Sequence, residues 1–333
     1  MIHVLKSGLL TSIQDLGRYG YQKHGVIASG AMDSESHRIA NLLVGNHPNS
    51  PTMEITLMGP VLEFQEDTCL AICGGNLSPM IDGERVSTWK PVYIRKGSEL
   101  RFGKPKEGFR SYLAVAGGFD VPEVMNSAST YMRAGIGGFK GRALQKGDCL
   151  SVRSKTKDSK LLLEKIKPKD KNITFQEAGW FVPPEFSNYE DKKSSIRVMA
   201  GREFDWFDEK SQKNFFQHSF QIDSKSDRMG YRLTGCPLSF KEEQSLLSEA
   251  VTFGTIQVPS EGNPIVLLAD RQTTGGYPKI AQVASVDLPR LAQLRPGESL
   301  SFTQISHNEA QRLYLQRENE IKQLQLGIAS KFR

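Results

Sequence analysis

Three pairs of similar segments occur in the same order in this 333-residue chain, about two hundred residues apart. The pairs are 18–21 with 228–231, 54–59 with 249–254, and 97–102 with 297–302, at offsets of 210, 195 and 200 residues. A period this long predicts two similar domains, because the repeats of solenoid proteins are far shorter. A chain of this length can bury two hydrophobic cores without help from disulfides or metals.

Short runs rich in β-branched and aromatic residues dominate the chain, and each is bounded by Gly, Pro or Asn. The clearest runs are VYIRKGSELRFG, SYLAVAGGF, SIRVMAG, FGTIQVP and PIVLLAD. They predict a mainly β protein whose domains are closed or nearly closed barrels, because long open sheets would leave exposed edges. Helical patterns are few: a short helix over 34–44 with Asp33 as its N-cap, and a longer C-terminal helix over 308–326.

The domain organisation follows from these patterns. We expect a first barrel over residues 1–153, a second barrel over 196–305 and a helical C-terminal segment over 306–333. Residues 154–195 are predicted to form a linker, because they combine a basic, Pro-containing stretch with the irregular piece GWFVPPEFSNYEDKKSS. The net charge is +6, and the basic residues concentrate in 155–172 without interleaved aromatics, which favours a solvated face and no nucleic-acid partner.

The composition also narrows the functional class. Cys69, Cys73, Cys149 and Cys236 form no C-x-x-C pair, so we expect reduced and mostly buried thiols. The six histidines show no H-E-x-x-H motif, and we predict no metal site. No apolar run is long enough for a membrane span, and the N-terminus lacks the pattern of a signal peptide. A cytoplasmic protein with no membrane partner is the expectation.

Two N-terminal turns hold candidate binding residues. Gln14, Asp15 and Arg18 lie in one turn, where a carboxylate and a guanidinium could orient a substrate amide or carboxylate. Considered alone, this segment favours an Asp–Arg arrangement that merely stabilises a loop. Ser29 begins a turn of small residues that ends at Asp33. Capping explains Asp33, and anion binding at the start of the helix is the alternative.

The segment 270–279 is the strongest candidate for a functional site. It directly follows the apolar run PIVLLA, and loops at strand ends are where binding residues concentrate. Arg271 and Lys279 could neutralise a phosphate or carboxylate. The remaining candidates, which could bond an amide or allow close approach of a ligand, are Gln272, Thr274, Gly275, Gly276 and Tyr277. A polar hairpin with solvated charges is the alternative.

A glycine-rich segment, RAGIGGFKGR at 133–142, superficially resembles a nucleotide-binding loop. Its glycine spacing and its context differ from a dinucleotide fingerprint, so we predict a flexible loop or a lid. The chain also lacks a Walker A motif. We therefore expect that any ATP is held with or by a partner protein.

Several long motifs together resemble one known family, over about residues 3 to 305. They are IQDLGRYGYQKHGVIASGAMD, MEITLMGP, YLAVAGGFDVP, STYMRAGIGGFKGRAL and EGNPIVLLADRQTTGGYPKIAQVASVDLPRLAQLRPGESLSF. The family is that of KipI antagonist, the C subunit of 5-oxoprolinase, allophanate hydrolase subunit 2 and the carboxyltransferase region of urea carboxylase. The resemblance implies two tandem cyclophilin-like β-barrels with an active cleft between them.

The resemblance also implies a function. Within this family a separate chain of this length is most similar to the C subunit of an ATP-dependent 5-oxoprolinase, which converts 5-oxo-L-proline to L-glutamate together with the A and B subunits. The B subunit is KipI-like, and a homo-oligomer would also be compatible. One alternative is a biotin-dependent carboxyltransferase acting on urea or a related amide, with biotin carried on another chain because no M-K-M motif is present. The other is a non-enzymatic KipI-binding antagonist that regulates a sporulation-type sensor kinase.

The resemblance carries over to individual residues by position. The polar residues expected to line the cleft are Gln14, Asp15, Arg18, Glu54, Arg271, Gln272, Thr274, Tyr277 and Lys279. Among them, Asp15, Arg271 and Lys279 are the candidates for catalytic roles. The segment 270–279 is expected to face the turn at 14–18.

Overall fold

The computed structural model of the chain describes residues 1–186, 195–242 and 246–332. These residues form a mainly β protein with 22 strands and five α-helices, so the prediction of a mainly β fold is confirmed. The chain divides into two compact units. Unit 1 comprises Met1–Arg18, Asp33–Glu190 and Glu320–Arg333, and unit 2 comprises Tyr19–Met32 and Asp191–Asn319.

The described residues of unit 1 form twelve strands arranged in two six-stranded sheets. The strands are β1 (Ile2–Lys6), β2 (Leu10–Gln14), β3 (Thr52–Thr56), β4 (Val61–Phe64), β5 (Thr68–Asn76), β6 (Pro79–Ile81), β7 (Glu84–Arg85), β8 (Pro91–Ile94), β9 (Glu99–Phe102), β10 (Glu107–Val115), β11 (Cys149–Leu150) and β12 (Phe175–Glu177). The first sheet has the order β11-β1-β4-β9-β6-β7, and the second has the order β12-β8-β5-β10-β3-β2. The described strand pairs of both sheets are antiparallel.

Strand alternation separates the two faces of the second sheet. Ile13 pairs with Met53, which in turn pairs with Leu113, and all three belong to the hydrophobic core of unit 1. Because successive side chains of a strand point to opposite faces, Glu54 and Tyr112, which pair with each other, lie on the face away from that core. The register therefore places polar residues of β2, β3 and β10 on one common face.

Helix α1 (Ser34–Leu43) begins where the sequence predicts. The Asp33 carboxylate accepts hydrogen bonds from the backbone N–H of Ser36 at 2.9 Å and from its hydroxyl at 2.7 Å. This cap satisfies a backbone donor that the helix itself leaves unpaired. Ile39 and Leu43 are fully buried as the helix packs against β5 and β10.

A second helix occupies the segment that the sequence assigns to a linker. Helix α2 (Lys157–Ile166) is capped by the Thr156 hydroxyl, which accepts from the backbone N–H of Ser159. Its lysines face solvent, but Leu162 and Ile166 are buried and the helix packs against β5 and β8. Together with β12, which pairs with β8, this helix makes the segment part of unit 1. Of the irregular piece predicted to follow it, residues 187–194 lie outside the described part.

The described residues of unit 2 form the remaining ten strands. They are β13 (Ile196–Ala200), β14 (Phe220–Ile222), β15 (Gly230–Thr234), β16 (Glu249–Ala250), β17 (Thr255–Gln257), β18 (Ile265–Leu267), β19 (Thr274–Gly275), β20 (Lys279–Val283), β21 (Ser299–Leu300) and β22 (Phe302–Gln304). Eight of them form one nearly closed sheet in the order β21-β14-β15-β18-β17-β20-β13-β22, and β16 pairs with β19 separately. Tyr19–Met32 also belongs to this unit, although it lies within the predicted first barrel.

Aromatic packing closes the core of unit 2. Helix α3 (Glu209–Gln217) inserts Phe215, whose ring stacks on that of Phe302 at a centroid distance of 4.6 Å. Phe220 contacts both rings, at centroid distances of 6.0 and 5.9 Å. Buried aromatic side chains contribute large apolar areas, so this cluster adds to the stability of unit 2.

Two helices complete the fold. Helix α4 (Leu288–Ala292) is short, and helix α5 (His307–Phe332) confirms the predicted C-terminal helix. The division between the two units falls within α5, between Asn319 and Glu320. None of the helices in the described ranges combines the length and the apolar character that a membrane crossing requires.

The four cysteines lie in the described part of the chain and form no disulfide there. Cys69 and Cys73 are buried as expected, whereas Cys149 is exposed and Cys236 is half-buried. Burial raises the pKa of the Cys69 thiol to about 12. The prediction of mostly buried thiols therefore holds for two of the four.

The internal repeat is visible in the third pair of segments. The backbone N–H of Gly97 donates to the Phe64 carbonyl at 2.7 Å, and that of Gly297 donates to the Ile222 carbonyl at 2.7 Å. These two glycines thus form equivalent turns against β4 and β14. The first pair is placed differently, because residues 18–21 follow β2 whereas residues 228–231 lead into β15.

Gly59 gives a direct test of core packing in unit 1. A Cβ atom at this position would lie 2.5 Å from Cγ of Phe102, so we expect Gly59→Ala to lower the free energy of unfolding by about 1–3 kcal/mol. Gly179 is the matched control, because a Cβ atom there would meet nothing within 4 Å. Urea unfolding followed by circular dichroism measures both variants, and equal stabilities would contradict this account of the packing.

Candidate functional site

The segment 270–279 of unit 2 connects β18 to β20. Its middle part forms β19, whose residues Thr274 and Gly275 pair with Ala250 and Glu249 of β16. Gln272, Thr274 and Tyr277 are exposed. The segment is therefore anchored by pairing with β16, and it presents these three polar side chains to solvent.

Arg271 is the cation of this segment that lacks a counter-ion. Its half-buried guanidinium donates to the carbonyl of Val251 at 3.4 Å and to that of Leu268 at 3.3 Å. Across the described residues, no carboxylate forms an ion pair with it. Burial lowers the pKa of Arg271, whereas electrostatic interactions with Tyr19 and Asp270 act to raise it. Arginine remains protonated in proteins, so Arg271 carries a positive charge that no ion pair with a described carboxylate neutralises.

Lys279 has the opposite environment. Its ammonium group donates to Glu249 at 3.0 Å and lies 3.7 Å from the carboxylate of Glu203. The backbone N–H of Lys279 also donates to Glu203, and Arg202 donates to Glu249 at 3.0 Å. The hydrogen bond from Lys279 is the main reason that the pKa of Glu249 is lowered. Two carboxylates therefore already compensate the charge of Lys279.

The two glycines of the segment, Gly275 and Gly276, lie close to other side chains of unit 2. A Cβ atom on Gly275 would lie 2.4 Å from the amide nitrogen of Gln257, which itself donates to the carbonyl of Tyr277 at 3.2 Å. A Cβ atom on Gly276 would lie 3.2 Å from the hydroxyl of Ser248. A side chain at position 275 would therefore displace the Gln257 amide, and the expected approach of a ligand to these glycines stays a prediction.

Asp15 of unit 1 is buried and accepts several hydrogen bonds. Its carboxylate accepts from the backbone N–H groups of Gly17 and Ala128, at 2.8 and 2.7 Å, and from the hydroxyls of Ser127 and Ser129. Four donors occupy the lone-pair positions that a carboxylate offers. Asp15 therefore stabilises the segment that begins at Ser127.

Arg18 binds the same segment. Its guanidinium is fully buried and donates to the carbonyls of Val124 and Ser129, at 2.8 and 2.9 Å. Asp15 and Arg18 thus both bond to residues within 124–129. This is the loop-stabilising role that the segment favoured when it was considered alone.

Glu54 and Gln14 lie on the polar face of the second sheet. Glu54 is 2% exposed and accepts a hydrogen bond from the Tyr112 hydroxyl at 2.8 Å. Gln14 is fully buried, and its amide nitrogen donates to the Ser12 hydroxyl at 2.9 Å. Its amide oxygen has no hydrogen-bond partner among the described residues. Carboxylate, phenol and amide groups therefore share one buried face, as the strand register requires.

Tyr112 and His37 are polar residues of this face that the sequence analysis missed. The Tyr112 hydroxyl accepts from the backbone N–H of Asp33 at 2.8 Å, and burial raises its pKa, so it remains a neutral donor to Glu54. The imidazole of His37 contacts the Thr52 hydroxyl at 2.8 Å. Burial lowers the pKa of His37 to about 4, although Asp15 and Glu54 act to raise it. Only the strand register and the packing of α1 reveal these contacts.

The turn at Ser29 belongs to unit 2. Ser29 has a left-handed backbone (φ 54°) and is 5% exposed, and its hydroxyl has no hydrogen-bond partner among the described residues. The carbonyl of the next residue, Gly30, accepts from Arg228 at 2.7 Å. At the end of the turn, the backbone N–H of Asp33 is already used by Tyr112. The structure thus shows capping by Asp33.

The glycine-rich segment at 133–142 consists of consecutive turns, the first closed by a bridge between Tyr131 and Ile136, and it packs within unit 1. A Cβ atom on Gly137 would lie 2.1 Å from the carbonyl oxygen of Ser129, and one on Gly138 would lie 1.9 Å from the Thr130 hydroxyl. Packing of the backbone therefore explains these glycines. Within the described ranges, no group of three or more His, Cys, Asp or Glu side chains is arranged to hold a metal ion.

The predicted residues thus form two groups. Unit 1 contains Gln14, Asp15, Arg18 and Glu54, which are buried and hydrogen-bonded. Unit 2 contains Ser29 and the residues of the 270–279 segment, of which Arg271 is the cation with least compensation. Arg228, which contacts both the Ser29 turn and Asp270, was not among the candidates identified from the sequence.

Comparisons with known proteins agree with the family resemblance. The model of the family described as carboxyltransferase domain, subdomain A and B, matches residues 24–304. The C subunit of 5-oxoprolinase from Escherichia coli strain K12 is 39% identical over 324 residues, which cover 97% of both chains. Urea amidolyase of Saccharomyces cerevisiae is 30% identical, but the chain covers 18% of its length.

This chain is also similar to part of a solved structure. The crystal structure of Kluyveromyces lactis urea carboxylase superposes with a TM-score of 0.83 at 30% sequence identity. The match covers 100% of this chain and 29% of that protein. The chain therefore has the fold of one region of a much larger enzyme.

The Asp15 contacts generate a stability prediction. We expect Asp15→Asn to lower the free energy of unfolding by about 2–4 kcal/mol, because an amide nitrogen would face buried donors that now bind a carboxylate. Asp120→Asn is the matched control, because Asp120 is exposed and lies 3.6 Å from Arg153. We expect that change to stay within about 0.5 kcal/mol. Denaturant titration compares them, and a stable Asp15→Asn protein would disprove the loop-stabilising role.

Proposed function

Because this chain belongs to the carboxyltransferase domain family, subdomain A and B, we propose that it acts as the C subunit of an ATP-dependent 5-oxoprolinase. One observation carries the proposal: the similarity to the C subunit of the Escherichia coli 5-oxoprolinase extends over 97% of both chains. By contrast, this chain covers 18% of the length of the yeast urea amidolyase. In this proposal, the cytoplasmic A and B subunits complete the enzyme and hold ATP.

The charge distribution of unit 2 supports a carboxylate-bearing substrate. 5-Oxo-L-proline carries one carboxylate beside its lactam ring, and a guanidinium can bind a carboxylate through two parallel hydrogen bonds. Arg271 offers such a group, because its bonds to carbonyls leave its charge uncompensated. Lys279 already contacts two carboxylates. We therefore assign the substrate carboxylate to Arg271 and a supporting role to Lys279.

The neighbouring side chains match the lactam. Gln272 and Thr274 are exposed on the same segment, and both can donate to the lactam oxygen or accept from its N–H group. Opening the ring breaks the bond between the carbonyl carbon and nitrogen, while water supplies a hydroxyl to carbon and a proton to nitrogen. In this proposal ATP, held with the partner proteins, drives that step. This chain binds and orients the lactam.

The first test removes the proposed carboxylate contact. In the complex with the A and B subunits, we expect Arg271→Ala to raise KM for 5-oxoproline by about 10- to 100-fold, because a charge-assisted contact is lost. Glutamate release in the presence of ATP is the measurement. Arg232→Ala is the matched control, since Arg232 is an exposed arginine of the same unit.

A substrate analogue separates carboxylate binding from other effects. 2-Pyrrolidinone has the same lactam ring without the carboxylate, so wild-type protein should be protected against thermal unfolding by 5-oxoproline but not by 2-pyrrolidinone. The difference should disappear in Arg271→Ala. Equal KM values for Arg271→Ala and Arg232→Ala would rule out Arg271 as the carboxylate contact.

A second candidate function is biotin-dependent carboxyl transfer to urea or a related amide. Its support is the similarity to urea amidolyase and to the solved urea carboxylase. Biotin would then arrive on another chain, and Asp15 or Lys279 would have to move a proton. The hydrogen bonds that already occupy both side chains make this the weaker candidate.

Avidin distinguishes the two candidates. If the chain acts in a 5-oxoprolinase, ATP-dependent glutamate release should be unchanged by an excess of avidin, because no biotin takes part. Avidin already saturated with free biotin is the control for unspecific effects. Inhibition by avidin alone, together with turnover of urea, would favour carboxyl transfer.

A further inference from the structure

A buried ion pair lies directly beside the Arg271 site. Arg228 donates from Nε and Nη2 to the two carboxylate oxygens of Asp270, at 2.9 and 3.1 Å. The two side chains are 4% and 7% exposed. Because removing such charges from water is costly, a pair retained here in good geometry suggests a role in specifying a conformation.

The pair holds the turn that carries Arg271. The backbone N–H of Asp270 donates to the Arg228 carbonyl at 2.8 Å, and that of Leu268 donates to the Met229 carbonyl at 2.9 Å. The side-chain and backbone contacts therefore attach the turn to the start of β15. The bonds that the Arg271 side chain makes itself are long, at 3.3 and 3.4 Å. Bonds of that length orient a guanidinium weakly, so its direction depends on the turn.

The same guanidinium contacts the other candidate loop of unit 2. Arg228 Nη2 donates to the Gly30 carbonyl at 2.7 Å. The preceding residue is Ser29, whose buried hydroxyl has no hydrogen-bond partner among the described residues. A buried hydroxyl of this kind is expected to have a partner, and a bound ligand can supply it. The Arg228 side chain thus connects Gly30, which follows Ser29, with Asp270, which precedes Arg271.

We infer that the Arg228–Asp270 pair is the positioning element of a carboxylate site formed by Arg271 and Ser29. The ligand class is a small carboxylate with a second polar group, which bonds the Ser29 hydroxyl while Arg271 binds the carboxylate. Because Arg228 and Asp270 neutralise each other, the pair orients the site without competing for the ligand. This inference rests on the proposed function, since 5-oxoproline belongs to that class.

The test replaces both charges at once. Arg228→Met with Asp270→Leu removes the pair without leaving an isolated buried charge, so the protein is expected to fold. In the complex with the A and B subunits, KM for 5-oxoproline should rise about tenfold, while kcat should change less than about threefold. In an Arg271→Ala background, the same replacement should raise KM by less than about twofold, because the pair acts through Arg271.

A second ion pair of unit 2 provides the matched control. Arg197 and Asp287 form a pair with a closest distance of 2.5 Å, and Asp287 is buried. Arg197→Met with Asp287→Leu should alter the melting temperature without altering KM. Equal changes of KM in the two pair replacements would show that the positioning role is wrong. It is also wrong if combining the Arg228–Asp270 replacement with Arg271→Ala raises KM by the product of their separate effects.

A binding measurement keeps this test separate from the proposed function. If the wild-type complex does not turn over 5-oxoproline, the proposed function fails. The inference is then decided by thermal protection of the full chain with 5-oxoproline, L-glutamate and acetate. The inference is supported if a carboxylate protects the wild-type protein and the pair variant needs about tenfold more of it for the same protection. Lack of protection by all three carboxylates, or equal protection of both proteins, overturns it.

Discussion

A charged side chain that leaves water is stable in a protein only where nearby groups replace its hydration. This constraint shapes both units of the chain. In unit 1 the Asp15 carboxylate is buried among four donors, and Arg18 is buried against carbonyls of the same segment. In unit 2 Arg228 and Asp270 neutralise each other. Arg271 is the exception to this rule, because it is half-buried and makes no ion pair with any described carboxylate. The candidate site is placed at Arg271 for that reason.

Strand alternation is the second constraint, and it acts before any charge is placed. In β2, β3 and β10 one set of residues, including Ile13, Met53 and Leu113, forms the core of unit 1. The alternate set must then share the opposite face, which is how Glu54 and Tyr112 come into hydrogen-bond distance. A one-residue change of register would move both sets to the wrong face. The buried polar cluster is therefore a direct consequence of the sheet.

Some local signals were interpreted correctly from the sequence, whereas contacts between distant residues could not be. The Asp33 cap and helix α1 depend on residues within a few positions of one another, so both were predicted. Helix α2 was missed because it lies in a basic, Pro-containing stretch, and Leu162 and Ile166 provide only a narrow buried face. The 270–279 segment was recognised, but its two cations looked equivalent. Their difference arises from Glu249 and Glu203, which are 30 and 76 positions away from Lys279.

The mainly β fold, the two strand-rich halves, the C-terminal helix and the family could all be inferred from the amino-acid order, because they are encoded in local periodicity and in long contiguous motifs. Which polar residues are buried and which charges are compensated became known only from the folded chain. There Asp15 contacts residues more than a hundred positions away, and Arg228 connects Asp270 to the Ser29 turn. Ion pairing and desolvation depend on distances in space, and sequence separation does not report those distances.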